Sequence, residues 1–469
     1  MSRVGSLARS FVVLGIGNIL PKIAGFVTLP ILTGCLTTDA YGTYDLINTI
    51  VSLLIPLSTL QIQTAVFRYL IDSRDDEASV TEIVSSALAF AVLFSVIVLA
   101  GYMVVTGGLD FLVRIWICAY YIFEVLVVVF RQVARGLGLN KIYTFSAGLQ
   151  SLTQIILCLL LVFGFGFGLV GSVAMVACST AVACAGLFYR LKIWSLFSLS
   201  EVNSACVKRL LRYSWPMVPN QLSLWVMRLS NRLFIAFFCG VTANAMFAAA
   251  FKIPQILSLA QSTFQMAWQE NASVFSKDAD SDEYYSAMFG AFFGLSVGVA
   301  SLTVAVTPLL FMLLIHGEYQ DAYFQIPLLI IAMLFSSLIS FYDGICVARE
   351  MTKVIGLSAL VGALINLSLC AVLIPNLGVT GASIAMLISY GLLFLYRAYD
   401  ASKYVAVDYE IPKIVASLAI VLVQCFVCAR QNLPLDIFNI LIGLLLFCVL
   451  NRKIILQTTS KIVSKFEKR

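Results

Sequence analysis

Arginine and amide side chains recur at helical spacing inside a long apolar stretch near the middle of the chain. After Gln221, Trp225, Arg228 and Arg232 follow at four, seven and eleven positions. Side chains at this spacing lie on one face of a helix. The arginine side chain presents a planar fork of donors that matches the oxygens of a phosphate. Arg228 and Arg232 are therefore the first candidates for binding a phosphate or an acidic sugar.

Other apolar stretches carry polar stripes of the same kind. They are Gly15, Asn18, Lys22 and Gly25; Tyr41, Asp45, Asn48 and Ser52; Arg114, Cys118, Tyr121 and Glu124; Lys252, Gln255 and Ser262; and Ser336, Ser340 and Asp343. Polar faces on several apolar helices predict a water-filled cavity. Further candidates for contact with substrate are Lys22, Arg114, Lys252, Gln255, Asn18 and Asn48. The carboxylates that could couple transport to an ion are Asp45, Glu124 and Asp343.

The composition places these helices in a membrane. Of the 469 residues, 61% are hydrophobic and 12% are charged, whereas a soluble protein carries about 25% charged residues. A water-soluble globular protein is therefore excluded. Cys425 and Cys428 form a C-x-x-C, but the twelve cysteines are otherwise scattered through apolar runs without clustered histidines. We expect no metal site and no cofactor.

The apolar runs are long enough for helices that cross a bilayer. One crossing needs about 20 apolar residues, so the apolar content would fill roughly 14 spans. Runs such as 87–105 and 416–429 are uniformly apolar, which favours helices over the alternating strands of a barrel. We predict an all-α integral membrane protein with about 14 transmembrane helices. The predicted helices start near Ser10, Tyr41, Glu82, Leu109, Ile142, Leu169, Ser214, Ala245, Tyr284, Ala322, Val354, Gly378, Ile411 and Asp436.

The basic residues indicate the orientation, because short cytoplasmic loops retain Lys and Arg. With the first residues in the cytoplasm, the basic loop residues fall on the cytoplasmic side, Arg131 and Arg397 among them, and the outer loops hold only Arg430. This asymmetry predicts an even number of helices and cytoplasmic termini. The largest outer loop, 307–321, contains the only histidine, His316. It is too short for a folded catalytic domain, so we expect His316 to be a surface residue.

The charges inside the predicted helices do not balance. An ionised side chain near the middle of a bilayer costs about 2.5 to 3.5 kcal/mol, so each one needs a partner, water or a function. A pair such as Lys22 with Asp45, which only locks helix packing, is the alternative for any single residue. The five cations, however, exceed the three candidate anions; they are Lys22, Arg114, Arg228, Arg232 and Lys252. A cavity with surplus positive charge suits an anionic cargo.

Two stretches, 140–174 and 352–384, match in residue type and spacing. The first contains LTQIILC and GLVGSVA, and the second contains LINLSLC and GVTGASI. Each copy would cover helices five and six of a six-helix unit. We predict two six-helix lobes related by a parallel internal repeat, with a central site between them, plus two C-terminal helices. The predicted regions are an N-lobe (1–195), a C-lobe (196–403) and the extra helices with a basic cytoplasmic tail (404–469).

Several short motifs resemble those of the Wzx-type lipid-linked oligosaccharide flippases. These transporters belong to the polysaccharide transporter family of the multidrug/oligosaccharidyl-lipid/polysaccharide superfamily. The similar motifs are LPILT (29–33), DAYGTYDL (39–46), RYSWPMVPNQLS (212–223), SNRLFI (230–235), FQMAWQE (264–270) and the turn with Gly378 and Gly381. None of them is a catalytic signature, and the resemblance implies a transporter rather than an enzyme.

The chain departs from the family pattern at two positions. Gly34 stands where the family often has Arg, and Asn231 stands where it often has an Asp before the arginine of helix seven. Without that Asp, Arg232 lacks a usual neighbour. If that Asp contributes to ion coupling in the family, coupling in this chain is absent or has moved to Asp45, Glu124 or Asp343.

The resemblance implies a cargo of undecaprenyl pyrophosphate carrying an oligosaccharide repeat unit. Such a protein lies in the bacterial inner membrane and moves this lipid from the cytoplasmic to the periplasmic leaflet by alternating access. It serves O-antigen or capsular polysaccharide biosynthesis alongside a polysaccharide polymerase and a chain-length regulator. We expect membrane lipids as further partners and no nucleic acid.

Three other functions are alternatives to this one. A multidrug or metabolite antiporter of the same superfamily usually carries cationic or neutral cargo, which the surplus of cations disfavours. A lipid II flippase differs only in cargo and stays open. A membrane polymerase or ligase would need a large outer loop, and nucleotide-driven pumping would need a G-x-x-x-x-G-K-[ST] motif, which this sequence lacks.

Overall fold

The computed structural model describes residues 3–105, 108, 110–258, 261, 262, 264, 265, 268, 281–348, 352–403, 405, 407–452 and 456. These residues form helices joined by short turns, and no strand occurs among them. The predicted all-α class is confirmed. The helices are α1 (Arg3–Cys35), α2 (Thr38–Thr59), α3 (Ile62–Asp72), α4 (Glu77–Val105), α5 (Phe111–Gly136), α6 (Asn140–Leu157), α7 (Gly168–Leu191), α8 (Ile193–Leu196), α9 (Ser204–Ser214), α10 (Met217–Cys239), α11 (Val241–Lys252), α12 (Ser281–Leu314), α13 (Ile326–Ala348), α14 (Thr352–Ala401), α15 (Ile411–Cys428) and α16 (Leu433–Leu450).

Polar caps and left-handed residues determine where several helices begin and end. The side chains of Thr37 and Asp110 accept hydrogen bonds from backbone N–H groups of α2 and α5, at 3.2 and 3.1 Å. Such caps satisfy donors that have no partner within the helix. Leu60 and Gln61 adopt left-handed conformations with φ of 44° and 59°. They separate α2 from α3 and bend the chain by 54°.

Ten helices of the described residues are long and apolar enough to cross a membrane, or eleven if α2 and α3 together form one span. This number is lower than the predicted one for three reasons. Helix α14 counts once although its apolar part holds 48 residues and breaks at Gly378. Helix α10 contributes only the shorter apolar part Leu229–Cys239, and the segment 253–280 is described only in part. Fourteen spans and cytoplasmic termini stay predictions.

The chain divides into two compact units, Met1–Trp225 and Val226–Arg469. In the first unit α5 packs against α7 and α3, and α1 packs against α6. In the second unit α13 packs against α14, and α12 packs against α13, α15 and α16. The last two helices therefore pack within the second unit. The predicted boundaries at residues 195 and 403 stay predictions.

The two stretches that form the predicted repeat contain turns with the same backbone geometry. Gly168 at the start of α7 and Gly378 in the middle of α14 have φ of +54° and +58°, a region that favours glycine. Three residues later, a Cβ added to Gly171 would lie 3.0 Å from the Leu161 carbonyl oxygen, and one added to Gly381 would also meet backbone atoms of the preceding helix. Each turn thus needs its first glycine for conformation and its second for close packing. This similarity supports the internal repeat.

Candidate functional site

In the first unit, the carboxylate of Glu124 lies within a polar cluster that joins α5, α6 and α7. Gln150 of α6 and Thr180 of α7 lie beside this carboxylate, and Arg131 is its nearby cation. The guanidinium of Arg131 donates to Ser146 at 3.1 Å and to Gln150 at 2.7 Å, and Gln150 donates to Thr180 at 3.0 Å. The arrangement compensates the carboxylate with one cation and fixes three helices to one another.

The position of Arg131 differs from the one predicted from the sequence. The predicted position in a cytoplasmic loop is wrong, because Arg131 lies within α5, seven residues after Glu124. Since α5 continues for five residues beyond it, its side chain reaches the neighbouring helices rather than solvent. A spacing of seven residues places two side chains on one helix face. That spacing was the signal in the sequence that could have identified the pair.

The predicted stripe on α2 meets the predicted stripe on α10 within the first unit. The indole Nε1 of Trp225 donates to the Ser52 hydroxyl at 3.1 Å. Asp45 is buried at 6% exposure, two turns before Ser52 on the same helix face. Asn48 between them is half-buried, and its Nδ2 donates to the Tyr44 carbonyl at 2.9 Å. The structure therefore brings these predicted residues to one side of α2.

The remaining candidates of the first unit lie on α1 and α5. Asn18 is exposed and accepts a hydrogen bond from the Tyr143 hydroxyl at 2.8 Å, which ties α1 to α6. Lys22, one turn further along α1, is half-buried. Arg114 is half-buried near the start of α5 and acts electrostatically on the Cys118 thiol. Both cations make contacts within the protein.

In the second unit, Arg232 of α10 is enclosed at 7% exposure. Its guanidinium lies 5.9 Å from the centre of the Phe251 ring on α11, a distance suited to a cation–π contact. Lys252 is the next residue after Phe251 and is half-buried, as is Gln255 in the turn that follows. Arg232 therefore lies beside the end of α11, where Lys252 and then Gln255 follow along the chain. The Arg228 side chain lies outside the described residues.

Asn231, which stands where the family often has Asp, is fully buried. Its Oδ1 accepts a hydrogen bond from the Cys370 thiol at 2.7 Å. The neighbouring Ser230 donates to Asn366 at 3.3 Å, and Asn366 donates to Ser389 at 3.4 Å. The departure from the family pattern thus places a neutral hydrogen-bonded network beside Arg232.

Asp343 of α13 forms an ion pair with Arg397 of α14, at 3.0 Å between Oδ1 and Nη1. Arg397 is 2% exposed, and its other terminal nitrogen donates to the Ile355 carbonyl at 2.9 Å. The prediction of Arg397 as a cytoplasmic loop residue is wrong, because α14 extends to Ala401. Asp343 and Arg397 are 54 positions apart, so no local spacing could have revealed this pair.

One helical turn beyond Arg397, a second ion pair lies at the end of α14. Lys403 donates to the Asp400 carboxylate at 3.0 Å, and this hydrogen bond raises the pKa of the lysine ammonium. The lysine side chain is 48% exposed. The Asp400 side chain is 9% exposed, so this pair joins a half-exposed lysine to a buried carboxylate.

The two arginines Arg131 and Arg397 lie in helices rather than in loops, so the structure adds positive charge to the helices. Arg397 forms an ion pair with Asp343, and Arg131 lies near Glu124. The predicted set of five cations and three carboxylates therefore keeps its surplus of positive charge. Among the described residues, no group of three or more His, Cys, Asp or Glu side chains is arranged to hold a metal ion.

Comparison with protein families assigns more than half of the chain. The family model described as "Polysaccharide biosynthesis protein" matches residues 7–268. The match covers all of the first unit except its first few residues and extends into the second unit through α11. No curated protein matches this sequence.

Several solved transporters share the fold. The lipid II flippase MurJ in an inward closed conformation is 12% identical with a TM-score of 0.69, covering 95% of this chain and 100% of its own. An inward-facing multidrug resistance MATE family transporter of the MOP superfamily is 15% identical with a TM-score of 0.65, covering 83% and 95%. A MOP superfamily transporter from Pyrococcus furiosus, whose binding pocket has reversed polarity, is 15% identical with a TM-score of 0.60. The match covers 85% of this chain and 95% of the transporter. At these identities, the similarity establishes the transporter fold.

Proposed function

We propose a cargo for this chain on the premise that it belongs to the polysaccharide biosynthesis protein family, whose model matches residues 7–268. The chain is a multi-pass membrane protein with the fold of MOP superfamily transporters. We infer that it flips oligosaccharide repeat units linked to undecaprenyl pyrophosphate. The movement runs from the cytoplasmic to the periplasmic leaflet of the bacterial inner membrane, in O-antigen or capsular polysaccharide biosynthesis.

The observation that carries this proposal is the surplus of cations inside the helices. Asp343 forms an ion pair with Arg397, and Arg131 lies in the polar cluster around Glu124. In the predicted set, five cations stand against three carboxylates, and surplus positive charge inside the helices suits an anionic cargo. The diphosphate of the lipid carrier supplies that anion. Arginine side chains match its oxygens, and lysine side chains provide point charges along the path.

Arg232 is the residue best placed to bind this diphosphate. It is enclosed in the second unit beside Phe251, the residue before Lys252, and its neighbour Asn231 is neutral. A carboxylate at position 231 would compete with the phosphate for the guanidinium. The neutral Asn231 avoids this competition. Arg228 lies one helical turn earlier in the sequence and is proposed to act with it.

The membrane potential favours the proposed direction. Moving one negative charge outward across an inside-negative membrane gains about 2.3 kcal/mol per 100 mV. A diphosphate with a charge of about −2 gains roughly twice that if it crosses the whole field. We propose that ion coupling is an aid rather than a requirement. The candidates for such coupling stay Asp45, Glu124 and Asp343.

We further propose that the chain crosses the membrane 14 times, with both termini in the cytoplasm, and works by alternating access. The turns at Gly168 and Gly378 support the underlying internal repeat. A polysaccharide polymerase and a chain-length regulator are the proposed partners in the same pathway. The surplus of cations disfavours a multidrug antiporter. It does not distinguish this cargo from lipid II, which the name of one structural relative mentions.

The experiment that tests the cargo uses the purified chain in liposomes containing undecaprenyl-pyrophosphate-linked oligosaccharide. A glycosidase added outside releases the accessible sugar, and the rate at which protected sugar becomes accessible measures flipping. We expect Arg232→Ala to slow flipping about tenfold or more, since hydrogen bonds to charged groups contribute about 1.5 to 3 kcal/mol. Arg232→Lys retains the charge and is expected to lose less.

The matched control is Arg190→Ala. Arg190 also lies over an aromatic ring, at 4.6 Å from the centre of Phe145, but its side chain is exposed. We expect this variant to flip at the wild-type rate. A normal rate after Arg228→Ala and Arg232→Ala together would refute the assignment of these arginines. Equal flipping of lipid II and the oligosaccharide lipid would refute the proposed choice of cargo.

A further inference from the structure

A cavity of about 480 Å³ lies in the second unit, where α12 ends and α16 begins. Its walls include two carboxylates, Asp321 and Asp436, and three aromatic rings, those of Phe311, Tyr323 and Phe324. No basic side chain of the described residues lines it. The volume falls in the range of small-molecule sites, about 300 to 1,000 Å³. Its charge is opposite to that of the cation cluster, so the proposed diphosphate cargo does not account for it.

Asp436 contributes to this cavity a carboxylate with a hydrogen-bond acceptor that has no donor among the described residues. The residue is 9% exposed, and its Oδ1 is buried without a hydrogen-bond partner among the described residues. The Asp436 backbone N–H bonds to the Asn432 carbonyl at 2.9 Å, so it belongs to the first turn of α16. Burying a carboxylate oxygen without a donor is costly. A donor from a bound molecule would remove this cost.

The aromatic rings of the cavity stand nearly at right angles to one another. The planes of Phe311 and Tyr323 meet at 86° with centres 5.2 Å apart, and those of Tyr323 and Phe324 meet at 87° with centres 6.1 Å apart. The Tyr323 hydroxyl is engaged elsewhere, since it donates to the Cys428 carbonyl at 3.0 Å. The ring of Tyr323, rather than its hydroxyl, therefore lines the cavity. Edge-to-face pairs are a preferred arrangement of aromatic rings, and a ring face on the cavity can contact an ammonium group within about 6 Å.

We propose that this cavity binds an ammonium group, carried either by a phospholipid headgroup or by a soluble amine. The carboxylates of Asp436 and Asp321 accept the N–H donors, and the ring faces contact the positive charge. A metal ion fits less well, because no metal-binding group of three or more side chains occurs in the described part of the chain. Exposed apolar side chains next to the cavity, Met312 and Leu313, suit the acyl chains of a lipid.

The experiment uses the full-length chain purified in detergent and measured by native mass spectrometry. Phosphatidylethanolamine and phosphatidylglycerol with identical acyl chains are offered at equal concentration. We expect the ethanolamine lipid to be retained about tenfold more, the change expected for one hydrogen bond to a charged group. Asp321→Asn and Asp436→Asn should each reduce this preference severalfold. Asp321 is exposed, so its variant tests the site even if the buried Asp436 variant folds poorly.

The matched control is Glu318→Gln, an exposed carboxylate of the same loop that does not line the cavity. It should leave the lipid preference unchanged. Free ethanolamine then identifies the source of the ammonium group. Competition at millimolar concentration supports a soluble amine as a ligand, whereas retained lipid without such competition supports the headgroup. Equal retention of both lipids together with no binding of ethanolamine would overturn the proposal, as would an unchanged preference in Asp321→Asn.

Discussion

At the scale of single residues, the pairing of each charge decides what that charge can do. Asp343 and Glu124 are both candidates for ion coupling; the structure pairs Asp343 with Arg397 and places Arg131 in the polar cluster around Glu124. For Glu124 the sequence held a usable signal, since Arg131 follows seven residues later in the same helix. For Asp343 it held none, because Arg397 comes from a different helix. Local spacing predicts which face a residue lies on, but tertiary packing determines its partner.

The buried pair of Asp343 and Arg397 predicts a strong energetic coupling. Removing one partner leaves the other charge without compensation, so we expect Arg397→Met to lower the free energy of unfolding by about 3 to 5 kcal/mol. Asp343→Asn should also destabilise, and the double variant should lose less than the sum of the two. Denaturant unfolding of the purified protein in detergent measures this cycle.

The ion pair of Lys413 and Glu410, at the start of α15, provides the control for this cycle. Lys413→Met removes a contact at 3.0 Å between side chains that are 43% and 70% exposed and should leave stability nearly unchanged. If the two single changes add to within about 0.5 kcal/mol, the residues are not coupled. That result would return Asp343 to the set of carboxylates available for ion coupling.

At the scale of helices, the lengths of the apolar runs predicted where most helices lie, but they did not predict all the breaks between helices. The predicted start at Ile411 coincides with the start of α15, and Gly378 is the point at which α14 breaks. The separate short helices α3 and α9 were not predicted. The break between α2 and α3 depends on Leu60 and Gln61, which are not residues that usually adopt left-handed conformations. Packing around Leu60 and Gln61 imposes their left-handed conformations, and the sequence alone does not reveal this packing.

The turn at Gly378 predicts a position-specific cost for an added methyl group. Gly378→Ala should lower the free energy of unfolding by about 1 to 3 kcal/mol, because a backbone with φ of 58° and ψ of −139° is nearly restricted to glycine. Gly356, on the same helix, has no heavy atom within 4 Å of an added Cβ. Gly356→Ala should be neutral or slightly stabilising, since alanine favours helices. Thermal unfolding in detergent compares the two, and equal effects would contradict the account.

At the scale of the whole molecule, composition and charge predicted the class, and the family match supports the transport of polysaccharide precursors. Motifs in the sequence such as DAYGTYDL resemble those of the Wzx-type flippases, which also serve polysaccharide biosynthesis. The acidic cavity at Asp436 could not be predicted, because its walls come from α12, α16 and the segment Gln320–Gln325 between α12 and α13. In sequence its two carboxylates are 115 positions apart. Such sites depend on how distant helix ends meet.

The most direct test of the central claim measures which leaflet holds the lipid-linked oligosaccharide in cells that lack this chain. A periplasmic enzyme that releases only outward-facing sugar separates the two pools. We expect the lipid to accumulate facing the cytoplasm. Wild-type protein and Arg190→Ala should restore export, whereas Arg232→Ala should not. Normal amounts of outward-facing sugar without the chain would contradict its role as the flippase of this lipid.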